Sequence, residues 1–387
     1  MNEVSLVKEF RNRFHKDPEA VYFCPGRVNL IGEHIDYNGG KVMPAAITRG
    51  TWLAIGSNDK NELRLQGIDF PETAVIPVQE TYSKQGTAWF NYPLGMIDNA
   101  ARAGIHTPGV DLLFAGDLPI GSGLSSSASI EVLMGYAIRH RSGLAVDRPA
   151  LAVEAKHVEN HFMGMNCGIM DQFAVANGRE GHAMLLDCDT LACSYIPVDL
   201  GDYRLVIINS RKDRKLIESK YNERFAQCQQ VLSLLQQHTD ITNLCALTTA
   251  QLDSLQHLIT DEVLLRRTRH VVTENDRVYK AAAALKAGEI KSFGQLLRAS
   301  HDSLQKDYEV SGPELDCIVE FAAGFAACIG ARMTGAGFGG CAIALVQQDA
   351  VDEFAEKLVP YYEKRIGYPC AIVPAGIGNG VHQVESK

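Results

Sequence analysis

A fold of two domains, each mixing helices with strands, is predicted by three features of the chain. Its 387 residues exceed a comfortable single hydrophobic core, which sets a prior of two units of roughly 200 residues each. Its 46% hydrophobic content is enough to fill both. Its texture also changes, from short apolar strands with helices between them in the first half to longer helical patterns from about Tyr221. The boundary falls near Asp199–Gly201, dividing the chain into 1–200 and 201–387, although no Pro/Gly/Ser linker marks it.

The elements follow in order. Val4, Val7, Phe10 and Phe14 recur at helical spacing over residues 4–14, and Val21–Cys24 reads as a short strand. Further strands are expected at Thr51–Ile55, Glu62–Gln66, Thr73–Val78 and Val110–Ala115, with a helix over 91–103. Ser127–His140 puts Ile130, Met134, Ala137 and Ile138 on one helical face, and a second helix covers about Arg148 to Phe162. Two strands bracket the Cys188–Ala192 turn, and Tyr203–Asn209 reads as a buried strand. Phe225, Cys228, Val231, Leu232 and Leu235 then form one helical stripe, Asp261–Ser303 is a long helical region, and Cys341–Val346 is a strand. There are no internal repeats or low-complexity tracts.

Charge and cysteines narrow the function. The 37 basic and 46 acidic side chains leave a net charge of -9, with no basic stripe, which argues against a nucleic-acid partner. An anionic ligand must then be held by local devices, because the overall field opposes it. The ten cysteines are scattered with no Cys-x-x-Cys pair and no zinc-type spacing, so they read as reduced. The amino terminus lacks a signal-peptide core, and no apolar run approaches the roughly 18 residues needed to span a bilayer. These features predict a soluble cytoplasmic protein that does not enter a membrane.

Four motifs carry the chemistry. Pro25-Gly-Arg-Val-Asn-Leu-Ile-Gly-Glu-His-Ile-Asp-Tyr-Asn-Gly-Gly40 sets Arg27, Glu33, His34, Asp36 and Asn38 among four glycines, a density of fixed donors and acceptors suited to a polyhydroxylated ligand or, more plainly, to a solvated loop. Pro119-Ile-Gly-Ser-Gly-Leu-Ser-Ser-Ser-Ala-Ser129 lies between a strand and a helix, where unpaired N–H groups and the helix dipole attract an anion. Gly121 and Gly123 permit positive φ, and Leu124 suits a loop only if buried. The plainer reading is a Ser-capped helix. The loop lacks the Walker lysine, so positive charge must come from elsewhere, with a magnesium ion on hard oxygen ligands the economical source. In Gly164-Met-Asn-Cys-Gly-Ile-Met-Asp-Gln172 an aspartate opens a helix beginning near Gly168, where it could merely complement the dipole. Gly335-Ala-Gly-Phe-Gly-Gly340 satisfies Gly-x-Gly-x-x-Gly, but it opens a strand near the carboxyl end rather than a helix after a first strand, so a dinucleotide fingerprint is excluded. His157 and His161 stand at i and i+4 around Glu159, yet the acid is misplaced for a zinc helix and a solvated face accounts for the pair.

In order and separation these motifs resemble those of the galactokinase, homoserine kinase, mevalonate kinase and phosphomevalonate kinase superfamily, and the first resembles its galactokinase signature. The resemblance spans nearly the whole chain. It implies two α+β domains with the active site in the cleft between them. The implied reaction moves the γ-phosphoryl group of ATP to the anomeric hydroxyl of α-D-galactose, with Mg2+ as cofactor and no obligate protein partner.

By the same resemblance Asp171 is the catalytic base and Arg27 the cation beside it, while Glu33, His34, Asp36, Gly168 and Tyr221 contact the sugar. Gly121, Ser122, Gly123, Leu124, Ser125, Ser126, Ser127 and Ala128 cradle the phosphates, and Ser127 and Glu159 hold the metal. Trp89 and Tyr92 flank the adenine, unless they are core aromatics. The late glycine loop buttresses the phosphate loop. Two departures stand out. Asp213, followed by Arg214, replaces the basic residue usual eight positions before the tyrosine, and Ile35 replaces a common threonine. The alternatives are an N-acetylgalactosamine kinase and a non-catalytic sensor of galactose and ATP on the same fold.

Overall fold

The computed structural model describes residues 3–70, 72–119, 121–165, 167–212 and 217–385. The apolar run after Val21 forms a strand longer than its sequence predicts. Ala20–Asn29 continues through Pro25 and Gly26 and carries Arg27 within it. It pairs antiparallel with Pro44–Ser57, and the register shifts between Pro25 and Arg27. Such a bulge re-aims a side chain. Gly26 is needed there, because a Cβ would sit 2.5 Å from the Leu124 carbonyl oxygen. The phosphate loop is thus laid directly on this strand, with the Arg27 amide donating to Leu124 O at 3.1 Å.

The strand belongs to a six-stranded sheet, ordered His382–Gln383, Ala20–Asn29, Pro44–Ser57, Val110–Gly116, Glu62–Gly67, Ala74–Pro77. All its pairings are antiparallel except that of Glu62–Gly67 with Val110–Gly116. Side chains alternate between its two faces. One face receives Leu6, Phe10 and Phe14 of the first helix, Glu3–Phe14, against Val21, Ala54 and Leu113. Tyr22, Leu53 and Leu112 point the other way into the main core, where the helices Ser126–Arg141 and Met170–Asn177 lie on Ala20–Asn29.

A three-stranded sheet joins Lys41–Val42, His182–Asp187 and Cys193–Pro197. A four-stranded antiparallel sheet orders Cys328–Thr334, Cys341–Gln347, Tyr203–Asn209 and Ala371–Val373. Tyr203–Asn209 is buried over Leu205–Asn209, as expected. After it the chain crosses to helices, and the segment His382–Gln383 then returns to the edge of the first sheet.

Several expectations need correcting. The region Asp261–Ser303 is two helices, Glu262–Lys286 and Ile290–Ser303, separated at Gly288 where φ is +71°. The helix from Arg148 ends at Val158, and Glu159–Met163 winds as a π-turn. On Ile217–Leu235 the residues Cys228, Val231 and Leu235 are buried, but Phe225 is 41% exposed and faces a cavity. Asp213 and Arg214 lie outside the described residues. None of the ten cysteines is in a disulfide. Among the described residues no helix is long and apolar enough to cross a membrane.

Candidate active site

Two residues 144 positions apart form the centre of the site. Arg27 Nε donates to Asp171 Oδ1 at 2.9 Å and its Nη2 to Oδ2 at 2.8 Å, a bidentate pair. Arg27 Nη1 also donates to Gly123 O at 2.6 Å, fastening the phosphate loop to the same guanidinium. Ser125 has φ +63° and does not cap the helix that follows; its hydroxyl instead donates to Asp171 Oδ2 at 2.8 Å. The first backbone bond of that helix runs from Ser129 N to Ser125 O, so the amides of Ser126, Ser127 and Ala128 lack intrahelical acceptors. Gly121 and Gly123 take positive φ, Ser122 and Leu124 are buried, and Ser126 is exposed to the cleft.

A cavity of about 490 Å³ opens beside this centre, lined by Asp36, Gly168 and Tyr221 from the predicted set. Gly168 is pressed against Asp36, since a Cβ there would lie 2.1 Å from Asp36 Oδ2. Burial, then the charges of Glu33 and Asp171, push the Asp36 carboxyl up to about 7. The sequence reading missed several other residues of the wall, including Tyr37, Lys156, Asp189 and Asn222. Of these four only Tyr37 stood within a recognised motif, whereas Cys167 and Ile169 of the same wall stood within the motif that holds Asp171.

Glu33 and His34 do not line that cavity; they lie beneath it and hold it. Glu33 Oε1 accepts the Gly335 amide at 2.7 Å and sits 3.5 Å from Arg332 Nη2. Arg332 in turn donates to the carbonyls of Asn29 and Leu30 at 2.9 and 3.0 Å. His34 has φ +62°. Burial first, and His270 second, draw its ring down to about 3, so it is neutral. Nε2 faces Ala336 O at 3.1 Å and must carry the proton, because a carbonyl only accepts. Nδ1 therefore accepts from Tyr37 Oη at 2.9 Å, and Tyr37 accepts from Tyr308 Oη at 2.8 Å. The late glycine loop thus supports the signature loop through Gly335 and Ala336. Gly335 also faces the phosphate loop, with a Cβ there only 3.3 Å from Gly123 O.

A second cavity, about 410 Å³, adjoins the phosphate loop on its other side and is lined by Phe70, Trp89, Tyr92, Phe114, Ser126 and Ser127 among others. The rings of Phe70 and Trp89 stack at 5.4 Å, and Trp89 Nε1 donates to Glu72 O at 3.0 Å. Trp89 and Tyr92 are half-buried cavity walls rather than core fillers. Phe70 was missed, since it stands in no motif. Close by, the Ser127 hydroxyl bonds the Glu159 carboxylate, which burial raises above its usual range. A hydroxyl and a carboxylate in contact beside an anion-binding helix start are hard oxygen ligands and fit a magnesium ion.

Fold and site together, a phosphate loop on a helix start with an aromatic slot on one side and a polar cavity on the other, define a two-domain small-molecule kinase. Matches to known families agree. The GHMP kinases N terminal domain matches residues 91–179 and the GHMP kinases C terminal domain 281–364, while the galactokinase galactose-binding signature matches 8–57. Galactokinases of Staphylococcus carnosus and Clostridium tetani are each 44% identical, over 98% and 99% of this chain and 99% and 98% of theirs. The crystal structure of Lactococcus lactis galactokinase complexed with galactose superposes with a TM-score of 0.94 at 44% identity, covering 98% of this chain and 99% of that one. A mevalonate kinase at 22% identity and a TM-score of 0.68 shares the fold. The chain belongs to the galactokinase family.

Proposed function

We propose that this enzyme transfers the γ-phosphoryl group of ATP to the anomeric hydroxyl of α-D-galactose, giving galactose 1-phosphate and ADP. The observation that carries the reading is the Asp171 carboxylate, held by Arg27 and Ser125, two residues after the Ile169 that lines the polar cavity and bonded to the serine just before the Ser126 and Ser127 that line the aromatic one. Galactose occupies the first cavity, with Asp36 accepting from its ring hydroxyls and Tyr221 closing one wall. The adenine lies against Trp89 and Tyr92, and the phosphates lie over residues 121–128.

Asp171 takes the proton of the anomeric hydroxyl as that oxygen bonds the γ-phosphorus, and the bond from phosphorus to the bridging oxygen breaks to release ADP. Arg27 orients the base and offsets charge on the transferring group. Most of the acceleration comes from positioning, since phosphoryl transfer leaves little covalent work for the protein. Ser127 and Glu159 would hold Mg2+, which when bound neutralises phosphate charge that the lysine-free loop cannot. We also place the domain division near residue 200, with the carboxyl-terminal residues carried back to the first sheet, and the protein in the cytoplasm, in keeping with ten cysteines none of which is in a disulfide.

A coupled ADP-release assay with ATP and a panel of hexoses, including glucose and N-acetylgalactosamine, tests this. Galactose should be strongly preferred; equal rates with glucose, or none with galactose, overturn it. Asp171→Asn keeps shape but cannot accept a proton, so it should bind galactose in calorimetry yet turn over roughly 10²-fold more slowly or worse. Near wild-type turnover would remove Asp171 as base and leave it a helix-start residue.

A further inference from the structure

The helix that begins at the phosphate loop carries a carboxyl group with no part in the site as described. Glu131 lies four residues after Ser127 on Ser126–Arg141, and so on the same face of the helix. It is wholly buried, yet neither carboxylate oxygen meets a hydrogen-bond donor among the described residues. A buried carboxylate without a donor is destabilising. What it does meet is the side chain of Glu159, and a hydrogen bond between two carboxyl groups needs a proton on one of them.

The groups around this pair are short of donors as well. Gln172 Nε2 donates to Glu159 Oε2, but its own Oε1 is buried with no donor. The Ser127 hydroxyl is spent on Glu159. Arg27 is committed to Asp171 and Gly123. The cluster therefore holds a surplus of oxygen acceptors, with only the Gln172 amide and the Ser127 hydroxyl to serve them, both directed at one carboxylate. Hard oxygens of two carboxylates, an amide and a hydroxyl are the donor set that Mg2+ and Mn2+ prefer. A proton on Glu131 could serve Glu159, but it would leave the second Glu131 oxygen and Gln172 Oε1 without a donor among the described residues.

We propose that Glu131 is a further residue of the divalent-cation site, and that with Glu159, Ser127 and Gln172 it holds a magnesium-class ion before any nucleotide arrives. The inference rests on the reading of Ser127 and Glu159 as metal ligands. It goes further in assigning a role to a carboxylate outside that pair and in separating metal binding from ATP binding. An ion kept there gives the lysine-free loop its positive charge in advance.

The test counts bound Mn2+ by spin resonance at pH 8 with no nucleotide, for the wild type, E131Q, E159Q and the charge-retaining E131D. The wild type should take up one ion, E131Q and E159Q should bind at least tenfold more weakly, and E131D should fall between. Thermal unfolding gives a second readout. Without metal E131Q should melt no lower than the wild type, because a buried carboxyl with no donor gives way to a neutral amide of the same shape, while Mn2+ should raise the wild-type midpoint and not that of E131Q. Calorimetric galactose binding verifies that each variant is folded, and should E131Q not fold, Q172L replaces it and must likewise weaken Mn2+ binding at least tenfold. Wild-type Mn2+ affinity in E131Q together with loss in E159Q would overturn the role of Glu131 and leave the Ser127–Glu159 site standing. Unchanged affinity in both variants would overturn both readings. No uptake by the wild type without nucleotide, but uptake with a non-hydrolysable ATP analogue, would overturn this proposal alone.

Discussion

Asp36 shows how a single side chain can set both specificity and pH response. Its carboxyl is pushed up to about 7 by burial, then by Glu33 and Asp171, and in the proposed role of acceptor for sugar hydroxyls it works best ionised. Below pH 7 it holds its proton, so galactose must bind at the cost of releasing it. Galactose affinity measured calorimetrically should therefore rise as pH climbs from 6 to 8 and then level off, with a slope approaching about tenfold per pH unit on the acid side. A flat profile would remove Asp36 from direct sugar contact. Gly168 is tied to the same carboxylate, and Gly168→Ala must displace Asp36 Oδ2 from a site 2.1 Å from the new Cβ. Losing a hydrogen bond to a charged group is worth about 1.5–3 kcal/mol, so the galactose KM should rise roughly 10- to 100-fold while the ATP KM holds. An unchanged galactose KM would show that Asp36 can bind the sugar from another rotamer. Both residues were legible because each stands in a dense polar motif, but their contact was not, since 132 positions separate them and no local pattern encodes it.

At the scale of elements, the helix Ser126–Arg141 is informative because its start breaks a local rule. A serine before an apolar periodic run predicts a capping hydroxyl, but Ser125 sits in the left-handed region and spends its hydroxyl on Asp171. Removing it should affect chemistry more than helix stability. Ser125→Gly and Ser125→Ala should both lower kcat by about tenfold or more, from the lost bond to a charged carboxylate. Glycine also relieves the left-handed backbone, so Ser125→Gly should be more stable in denaturant than Ser125→Ala by about 1 kcal/mol. If Ser125→Gly instead kept full kcat, the hydroxyl would have no role in chemistry. Elements with a clean period were legible in advance, as Glu3–Phe14 and Asn91–Arg102 were. The π-turn Glu159–Met163 was not, because one extra residue per turn leaves no apolar period to read, and that turn is what ends the α-helix at Val158. Phe225 followed the helical stripe in sequence, yet the stripe continues past the core to the cavity wall.

For the whole molecule, the parts hardest to read from sequence are those that join distant segments. The two-residue strand His382–Gln383 has no alternation to betray it, and its pairing with Ala20–Asn29 makes the carboxyl end part of the first sheet. The polar stitch beneath the sugar cavity is equally hidden. His270, on Glu262–Lys286, bonds Glu33 O at 3.0 Å, and His34 bonds Ala336 O at 3.1 Å. Glu274 on the same helix accepts the Gly32 amide at 2.9 Å and the Ser300 hydroxyl at 2.6 Å. Burial lowers His34 to about 3 and His270 to about 4. Burial alone would raise Glu274, but Arg277, then His270 and Arg332, outweigh it and bring that carboxyl down to about 2.

All three groups bind protons more readily in the unfolded chain, so each makes stability fall as pH falls. The histidines act first. Their contribution is complete above the ordinary histidine pKa of about 6.5 and is lost as pH drops toward 4 and 3, with Glu274 adding to the loss below about 4.5. Each histidine, taking up its proton only on unfolding, contributes a decline of up to about 1.4 kcal/mol per pH unit between roughly pH 5.5 and 4, opposed over the same interval by the carboxyls of Asp36, Glu33, Glu131 and Glu159, which burial raises above their usual range. Denaturant unfolding from pH 7.5 to 4.5 measures this. The His270→Gln variant, which retains a donor for Glu33 O, should lack one histidine's share, so that its slope differs from that of the wild type by up to about 1.4 kcal/mol per pH unit. Since both histidines bridge the signature loop to the second half of the chain, galactose binding should weaken over the same interval, beyond what Asp36 alone explains. Equal slopes in the wild type and His270→Gln would mean that this ring can be protonated in the folded protein, and the stitch would then not be the neutral, fully buried network that its geometry indicates.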